Sequence, residues 1–141
     1  MRADAKHSSQ TEILIIGAGP TGLALSAELR RRGIAALTVD KIAEGANTSR
    51  AAVVHARTLE VLEPLGVVPA MLAEGVKVPI FRIRDRDTPL LTVDFKEIPS
   101  AYAYTLMCPQ NLTEAILRAR LQELGGARLT VGGAYMRNSD A

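Results

Sequence analysis

The sequence predicts an α/β fold with a parallel sheet, and three observations predict it. An apolar run from Ile13 to Ile16 leads straight into Gly17-Ala18-Gly19-Pro20-Thr21-Gly22; an amphipathic stretch with Leu23, Leu25, Ala27 and Leu29 follows and stops at Gly33; a second apolar run, Ala35 to Val39, closes on Asp40. Strand, glycine turn, helix and acid-tipped strand in that order are the parts of a Rossmann-like dinucleotide site. Glycines alone also mark ordinary turns, so it is the strand, helix and acid around them that select nucleotide binding. Gly17 permits the tight turn, Gly19 lets a pyrophosphate approach the backbone, and Gly22 lets the helix pack closely on the strand. Pro20 and Thr21 open the helix, where unpaired N–H groups and the positive end of the dipole favour phosphate. Asp40 stands where a carboxylate accepts hydrogen bonds from both ribose hydroxyls and repels a 2′-phosphate. Arg30, Arg31 and Arg32 crowd the last turn of the helix and read as solvated charges that complement its dipole.

The chain has 141 residues, 48% of them hydrophobic, which is enough for one domain with a core. Residues 1–10 are polar and aperiodic and read as a flexible tail, leaving 11–141 as the domain. A net charge of +2, from 17 basic and 15 acidic residues, offers no polybasic block, and only 4% of residues are aromatic, so nucleic acid is a poor partner. The single cysteine, Cys108, follows an apolar run and reads as a small buried hydrophobe. With no intrachain disulfide, no signal peptide and no membrane span in view, the expected location is the cytoplasm.

Beyond Asp40, residues Lys41 to Arg50 lack an apolar period and read as a loop. A helix follows with Leu59, Val61, Leu62 and Leu65 as its apolar face, Thr58 as a candidate cap, and Pro64 with Gly66 as its break. A short helix is expected from Val67 to Glu74, started near Pro69 and stopped at Gly75. The period then changes to that of strands. Ile80 to Arg84 and Leu90 to Phe95 flank the charged turn Asp85 to Pro89 and predict a small β-hairpin insertion. Tyr102 to Met107 predicts another strand, ended by Pro109. A second long helix has Asn111 and Glu114 in capping-box-like spacing and Ile116, Leu117, Leu121 and Leu124 on one face. Gly125-Gly126 stops it, and Arg128 to Val131 reads as a parallel strand returning to the sheet.

Two further residues are candidates for the site. Arg50 ends a polar loop before an apolar run and could clamp a phosphate or ribose, or simply be a surface arginine. Gln110 lies between a strand end and a helix start, where sheets of this class place ligand contacts; it could equally be a polar loop residue. His55 and Arg57 read as capping or solvated groups, and His7 has no argued role. No metal-ligand spacing, no G-x-S-x-G nucleophile and no carboxylate pair is present.

With these residues in place the chain resembles the N-terminal part of the FAD-dependent aromatic hydroxylases, the single-component flavoprotein monooxygenases similar to p-hydroxybenzoate, phenol and polyketide hydroxylases. Three segments carry the resemblance: the glycine fingerprint with Asp40; Ser49-Arg50-Ala51 followed by His55 to Leu62; and Pro109-Gln110 followed by Leu112, Thr113, Glu114, Leu117 and Leu121. The middle segment discriminates best, because folds that bind NAD have no reason to carry it. The resemblance implies that Gly17, Gly19, Pro20, Thr21, Gly22, Asp40, Lys41, Arg50 and Gln110 form the cofactor-binding set. Asp40 would hold the adenosine ribose of FAD, Arg50 would lie along the cofactor near its pyrophosphate and flavin, and Gln110 would contact it beside the ribityl chain. Asp40 stands where many relatives carry Glu, which keeps the acceptor and shortens the reach.

The implied activity is NAD(P)H-dependent hydroxylation of a small aromatic, phenolic or polyketide substrate with molecular oxygen. The family's later Gly-Asp motif and substrate-covering sheet have no counterpart here, so the chain is expected to be a fragment that is inactive alone and prone to self-association through uncovered apolar surface. Its catalytic residues cannot be named from this stretch. An NAD-dependent oxidoreductase and a non-catalytic adenine-dinucleotide-binding module are the alternatives.

Overall fold

The structure, a computed structural model, describes residues 11–41, 53–126 and 128–130. Strand β1 (Leu14–Ile16), helix α1 (Pro20–Arg31) and strand β2 (Leu37–Asp40) form the expected opening unit. β1 and β2 pair in parallel, Ile15 opposite Thr38, and β8 (Arg128–Thr130) adds in parallel on the far side of β2 to give the order β1-β2-β8. This is the returning strand expected after Gly125-Gly126. Parallel neighbours need a crossover, and α1 supplies the one between β1 and β2. Gly33, at φ +77°, ends α1: its N–H donates to the Arg30 carbonyl and that of Ile34 to the Leu29 carbonyl, closing the last turn.

A second, antiparallel sheet has the order β3-β7-β4, from Val53–Val54, Thr105–Met107 and Val76–Val78. Neither β3 nor β4 is marked by sequence period, because each is too short for alternation to show. Helices α2 (Ala56–Leu62) and α3 (Val68–Glu74), joined by a 3₁₀ turn at Glu63–Leu65, lie between the strands in sequence, and α4 (Gln110–Glu123) follows β7. α1 packs on α4. Leu23 and Ala27 of α1, Leu59 of α2, Met71 of α3, Leu106 of β7 and Leu117 and Leu121 of α4 belong to one buried cluster. Cys108 is buried within the same cluster, as expected, with Thr113 Oγ1 3.4 Å from its Sγ.

Strands β5 (Ile80–Asp85) and β6 (Thr88–Asp94) form the expected hairpin. Its turn is tighter than the charged segment suggests: Arg86 and Asp87 alone make it, and Pro89 lies within β6 opposite Arg84, beside a register shift. Proline is tolerated there because the irregular ladder does not require its missing N–H. The Phe81–Val93 and Ile83–Leu91 pairs share one apolar face.

Four helix-level expectations are corrected. α2 begins at Ala56 with His55 at the N-cap, so Thr58 lies inside the helix and is no cap. Val61 is 59% exposed, because one turn of a short helix turns it away from Leu59 and Leu62. α4 begins at Gln110 with Pro109 at its N-cap and no side-chain cap, so Asn111 and Glu114 form no capping box. Arg31 and Arg32 do stay exposed, but both bind Glu28, Arg31 at 2.8 Å and Arg32 at 2.6 Å, while Arg30 is half-buried with its Nε out of water.

Candidate FAD site

The glycine turn is built as its sequence requires. Gly17 has φ +103°, a conformation that side chains with a Cβ disfavour, and a Cβ on Gly22 would overlap the Gly17 carbonyl oxygen. At Gly19 the surroundings are different. A Cβ there would meet only Glu114 Oε1, at 3.9 Å, so packing does not demand glycine and the backbone stays open to a ligand atom. Gly19 is the N-cap of α1 and Pro20 occupies the first helical turn, where a missing N–H costs nothing. Thr21 is exposed on that turn.

Asp40, the last residue of β2, reaches back to this turn. Its Oδ2 accepts the Ala18 N–H at 2.6 Å, while the Gly17 N–H donates to the Val39 carbonyl at 2.8 Å. The parallel register makes this contact unavoidable, since β1 and β2 end side by side with the turn directly beyond them. Lys41 follows on the surface. Arg50 lies outside the described residues.

Gln110 comes to the same end of the molecule from another part of the chain. A cleft of about 460 Å³ is lined by Pro20 and Thr21 of α1, Val53 of β3, Val61 of α2, and Cys108 and Gln110 at the β7–α4 passage. The exposure of Val61 thus has a place in the fold: it forms one wall. Arg57 also borders the cleft but is engaged with Glu60 at 2.9 Å. Glu60 in turn accepts the Ser100 hydroxyl at 2.7 Å, and that bond, followed by Arg57, holds its carboxyl below the usual range. Tyr102 donates to Glu63 at 3.1 Å, and its phenol is pushed up by burial first and by Glu63 next. These contacts fasten the loop before β7 to α2 and so fix the strand that leads to Gln110.

Chain 10–138 matches the sequence profile of a family described as FAD binding domain. The chain belongs to this FAD-binding family. Among similar proteins, 6-methylpretetramide 4-monooxygenase of Streptomyces rimosus is 42% identical over 116 residues, which are 81% of this chain and 21% of that protein. Pentachlorophenol 4-monooxygenase of Sphingobium chlorophenolicum is 33% identical over 117 residues, 82% of this chain and 22% of the relative. The solved structure of anhydrotetracycline hydroxylase from Streptomyces rimosus superposes with a TM-score of 0.72 at 37% identity, covering 84% of this chain and 24% of that one. This FAD-binding chain therefore spans about a fifth of the length of the curated relatives it matches.

The sequence reading gives Glu114 of α4 a capping role, and the structure places it differently. Glu114 is 4% exposed, accepts the Gln110 side-chain Nε2–H at 2.8 Å, and has its Oε1 3.9 Å from where a Cβ on Gly19 would stand. Its spacing from Leu117 and Leu121 was the available signal, because it places a carboxylate on the buried stripe of α4. Among the described residues no helix is long and apolar enough to cross a membrane.

Proposed function

We infer that the protein carrying this chain is an NAD(P)H-dependent FAD monooxygenase that hydroxylates an aromatic substrate, phenolic or polyketide in type, with molecular oxygen. Within it, this chain supplies the part of the FAD site that receives the adenosine and pyrophosphate end. The carrying observation is the convergence of three separate segments at one end of the fold: the open backbone at Gly19, the Asp40 carboxylate fastened to the turn, and Gln110 lining the cleft beside Pro20 and Thr21.

The residues fit the cofactor. Gly17, Gly19 and Gly22 shape the turn, and Pro20 and Thr21 begin the twelve-residue helix whose N-terminus favours the pyrophosphate. Asp40, with Lys41 beside it, would receive the adenosine ribose; an acceptor-only carboxylate suits a diol, and its negative charge disfavours a 2′-phosphate. Arg50 would lie along the cofactor near its pyrophosphate, and Gln110 beside the ribityl chain. Bound FAD supplies the redox chemistry with oxygen. The chain's own groups bind and orient it, and Val53 and Val61 give the cleft an apolar wall. The relatives named for 6-methylpretetramide and pentachlorophenol support the aromatic substrate class.

Taken apart from the rest of the protein, this chain would present Leu14, Ile16, Ile83 and Leu91 to water. Self-association would follow from that surface.

The test is to purify the protein at its full natural length, record its flavin spectrum, and follow NADH and NADPH oxidation and oxygen uptake with phenolic substrates. Stoichiometric flavin and substrate-stimulated oxidation are expected. Bound NAD with no flavin would replace this reading with an NAD-dependent oxidoreductase, and flavin without turnover would leave a binding module.

A further inference from the structure

The antiparallel sheet has two unlike faces. Leu106 of β7 is fully buried in the helical core, and a Cβ on Gly75 would meet its Cδ1 at 2.8 Å, so Gly75 approaches the sheet on the core side. Successive residues of a strand alternate, which sends Met107 of β7 and Val76 of β4 to the opposite face. The register then lines them up: Met107 stands opposite Val53 of β3 on one side and opposite Val76 on the other. Val53, Met107 and Val76 thus make one apolar row across three strands.

The row is open where the face behind it is covered. Thr105, two residues before Met107 and on the same face, is 2% exposed, and its hydroxyl donates to the Val78 carbonyl at 3.3 Å. At the level of Met107, which is itself partly exposed, Val53 is 40% and Val76 is 65% exposed. The opening therefore lies at the end of β7 that leads to Gln110, and Val53 is shared with the cleft wall. Neighbouring strands stand about 4.8 Å apart, so the row runs for roughly 10 Å, the length of a fused ring system rather than of a single ring. Two β-branched side chains flanking a polarizable methionine make a shelf without charge, and a flat ring touches all three at once.

We propose that Val53, Met107 and Val76 form the shelf on which the aromatic substrate lies, with Val76 at its outer end setting how many fused rings are accepted. The proposal rests on the reading that FAD runs from Asp40 past Gln110. The ring end of the cofactor then comes to the Val53 edge of the shelf, and the ring it hydroxylates has to lie beside that end. Continuity selects the occupant: the row begins at a residue of the cleft wall and carries no charged or hydrogen-bonding side chain, so a flat apolar ring next to the cofactor completes it.

The test is titration of the full-length FAD-loaded protein with phenol, 2-naphthol and 2-anthrol, followed by the change in flavin absorbance, for wild type, Val76→Phe and Met107→Thr. FAD affinity and melting are measured on the same proteins. Val76→Phe adds bulk at the outer end, at an exposed strand position that tolerates an aromatic residue, and is expected to raise the ratio of the 2-anthrol to the phenol Kd by about tenfold. Met107→Thr sets a hydroxyl under the middle of the shelf and is expected to weaken 2-naphthol and 2-anthrol by about fivefold. FAD affinity is expected to stay within about threefold of wild type in both variants.

An unchanged ratio in Val76→Phe would overturn the proposal, as would a wild-type protein that holds FAD and binds none of the three phenols. A tenfold loss of FAD affinity in either variant would place the flavin itself on the row, and a lowered melting temperature in Val76→Phe with an unchanged ratio would place another part of the protein there; each result overturns the proposal. If Met107→Thr does not fold, Val76→Phe decides alone. A wild-type protein without FAD affinity would defeat the functional reading itself, and the shelf with it.

Discussion

The carboxylate of Asp40 accepts the Ala18 amide at 2.6 Å across 22 residues of sequence. The bond ties the carboxyl end of β2 to the middle of the glycine turn, so Asp40 has a structural partner in addition to any ribose it binds. Ala18 is itself 4% exposed, which makes its amide one that water cannot readily satisfy.

Two substitutions at Asp40 separate these roles. Asp40→Ala removes the acceptor for both the turn and the ribose, and is expected to weaken FAD binding by roughly 1.5 to 3 kcal/mol and also to lower the apoprotein melting temperature. Asp40→Asn keeps a carbonyl for Ala18 and is expected to restore melting while FAD affinity stays reduced. Titration and apoprotein melting check this; wild-type affinity in both variants would make Asp40 a turn fastener only.

Gly19 and Gly22 are expected to fail in opposite ways. Gly22→Ala drives a Cβ into the Gly17 carbonyl oxygen and should destabilise the fold itself. Gly19→Val has room at Cβ, where its nearest contact is Glu114 Oε1 at 3.9 Å, so the fold should survive while the branched side chain blocks the pyrophosphate. Circular dichroism together with the flavin-to-protein ratio of the purified variants distinguishes the two, and a normal flavin content in Gly19→Val would contradict the assignment.

Thr38 and Ser26 form a hydrogen bond of 2.9 Å between β2 and α1, with both residues at 1% exposure or less. Thr38→Val is close in shape but leaves the Ser26 hydroxyl without its donor, at an expected cost of about 1 to 3 kcal/mol. Adding Ser26→Ala removes the orphaned group, so the double variant should lose less than the sum of the singles. Denaturant unfolding of the four proteins measures the coupling, and strict additivity would show that the bond carries no weight.

Glu28 is held down to about 2 by hydrogen bonds from Arg31 first and Arg32 next. Because the folded value is depressed, the stabilisation is fully present above the ordinary carboxylate range near 4.5 and is lost as pH falls toward about 2. All three groups stand in partial contact with water, so screening keeps the contribution to about 0.5 to 1 kcal/mol. Glu28→Gln should therefore cost that much at pH 7 and progressively less as the solution is acidified. Unfolding curves at several pH values and salt concentrations check it; a difference that did not shrink below pH 4 would rule out the ion pairs as its source.

The sequence by itself determined the β1-α1-β2 unit, the ends of α1 at Pro20 and Gly33, the hairpin, α3, the returning strand and the FAD-binding family. These features are local: a strand period, a helix period, a positive-φ glycine and a tight turn each need only a few neighbouring residues to be stated. The positions of Gly17, Gly19, Gly22, Asp40 and Gln110 in the fold were legible for the same reason, since turn geometry and strand ends fix where such residues stand. Arg50 was named from its segment alone and lies outside the described residues.

Tertiary structure decided what pairing across the chain controls. β3 and β4 exist because β7 lies between them and supplies their hydrogen bonds, not because Val53–Val54 or Val76–Val78 insist on being strands. Val61, which looks like a core residue by spacing, became a cleft wall once α2 stopped after two turns. Glu114 suggests a capping box by spacing, yet Pro109 already stands at the N-cap of α4, and the Glu114 carboxylate is buried and accepts from Gln110. Spacing along a helix fixes which residues share a face; which partner that face meets depends on elements far away in sequence, and here that was α1.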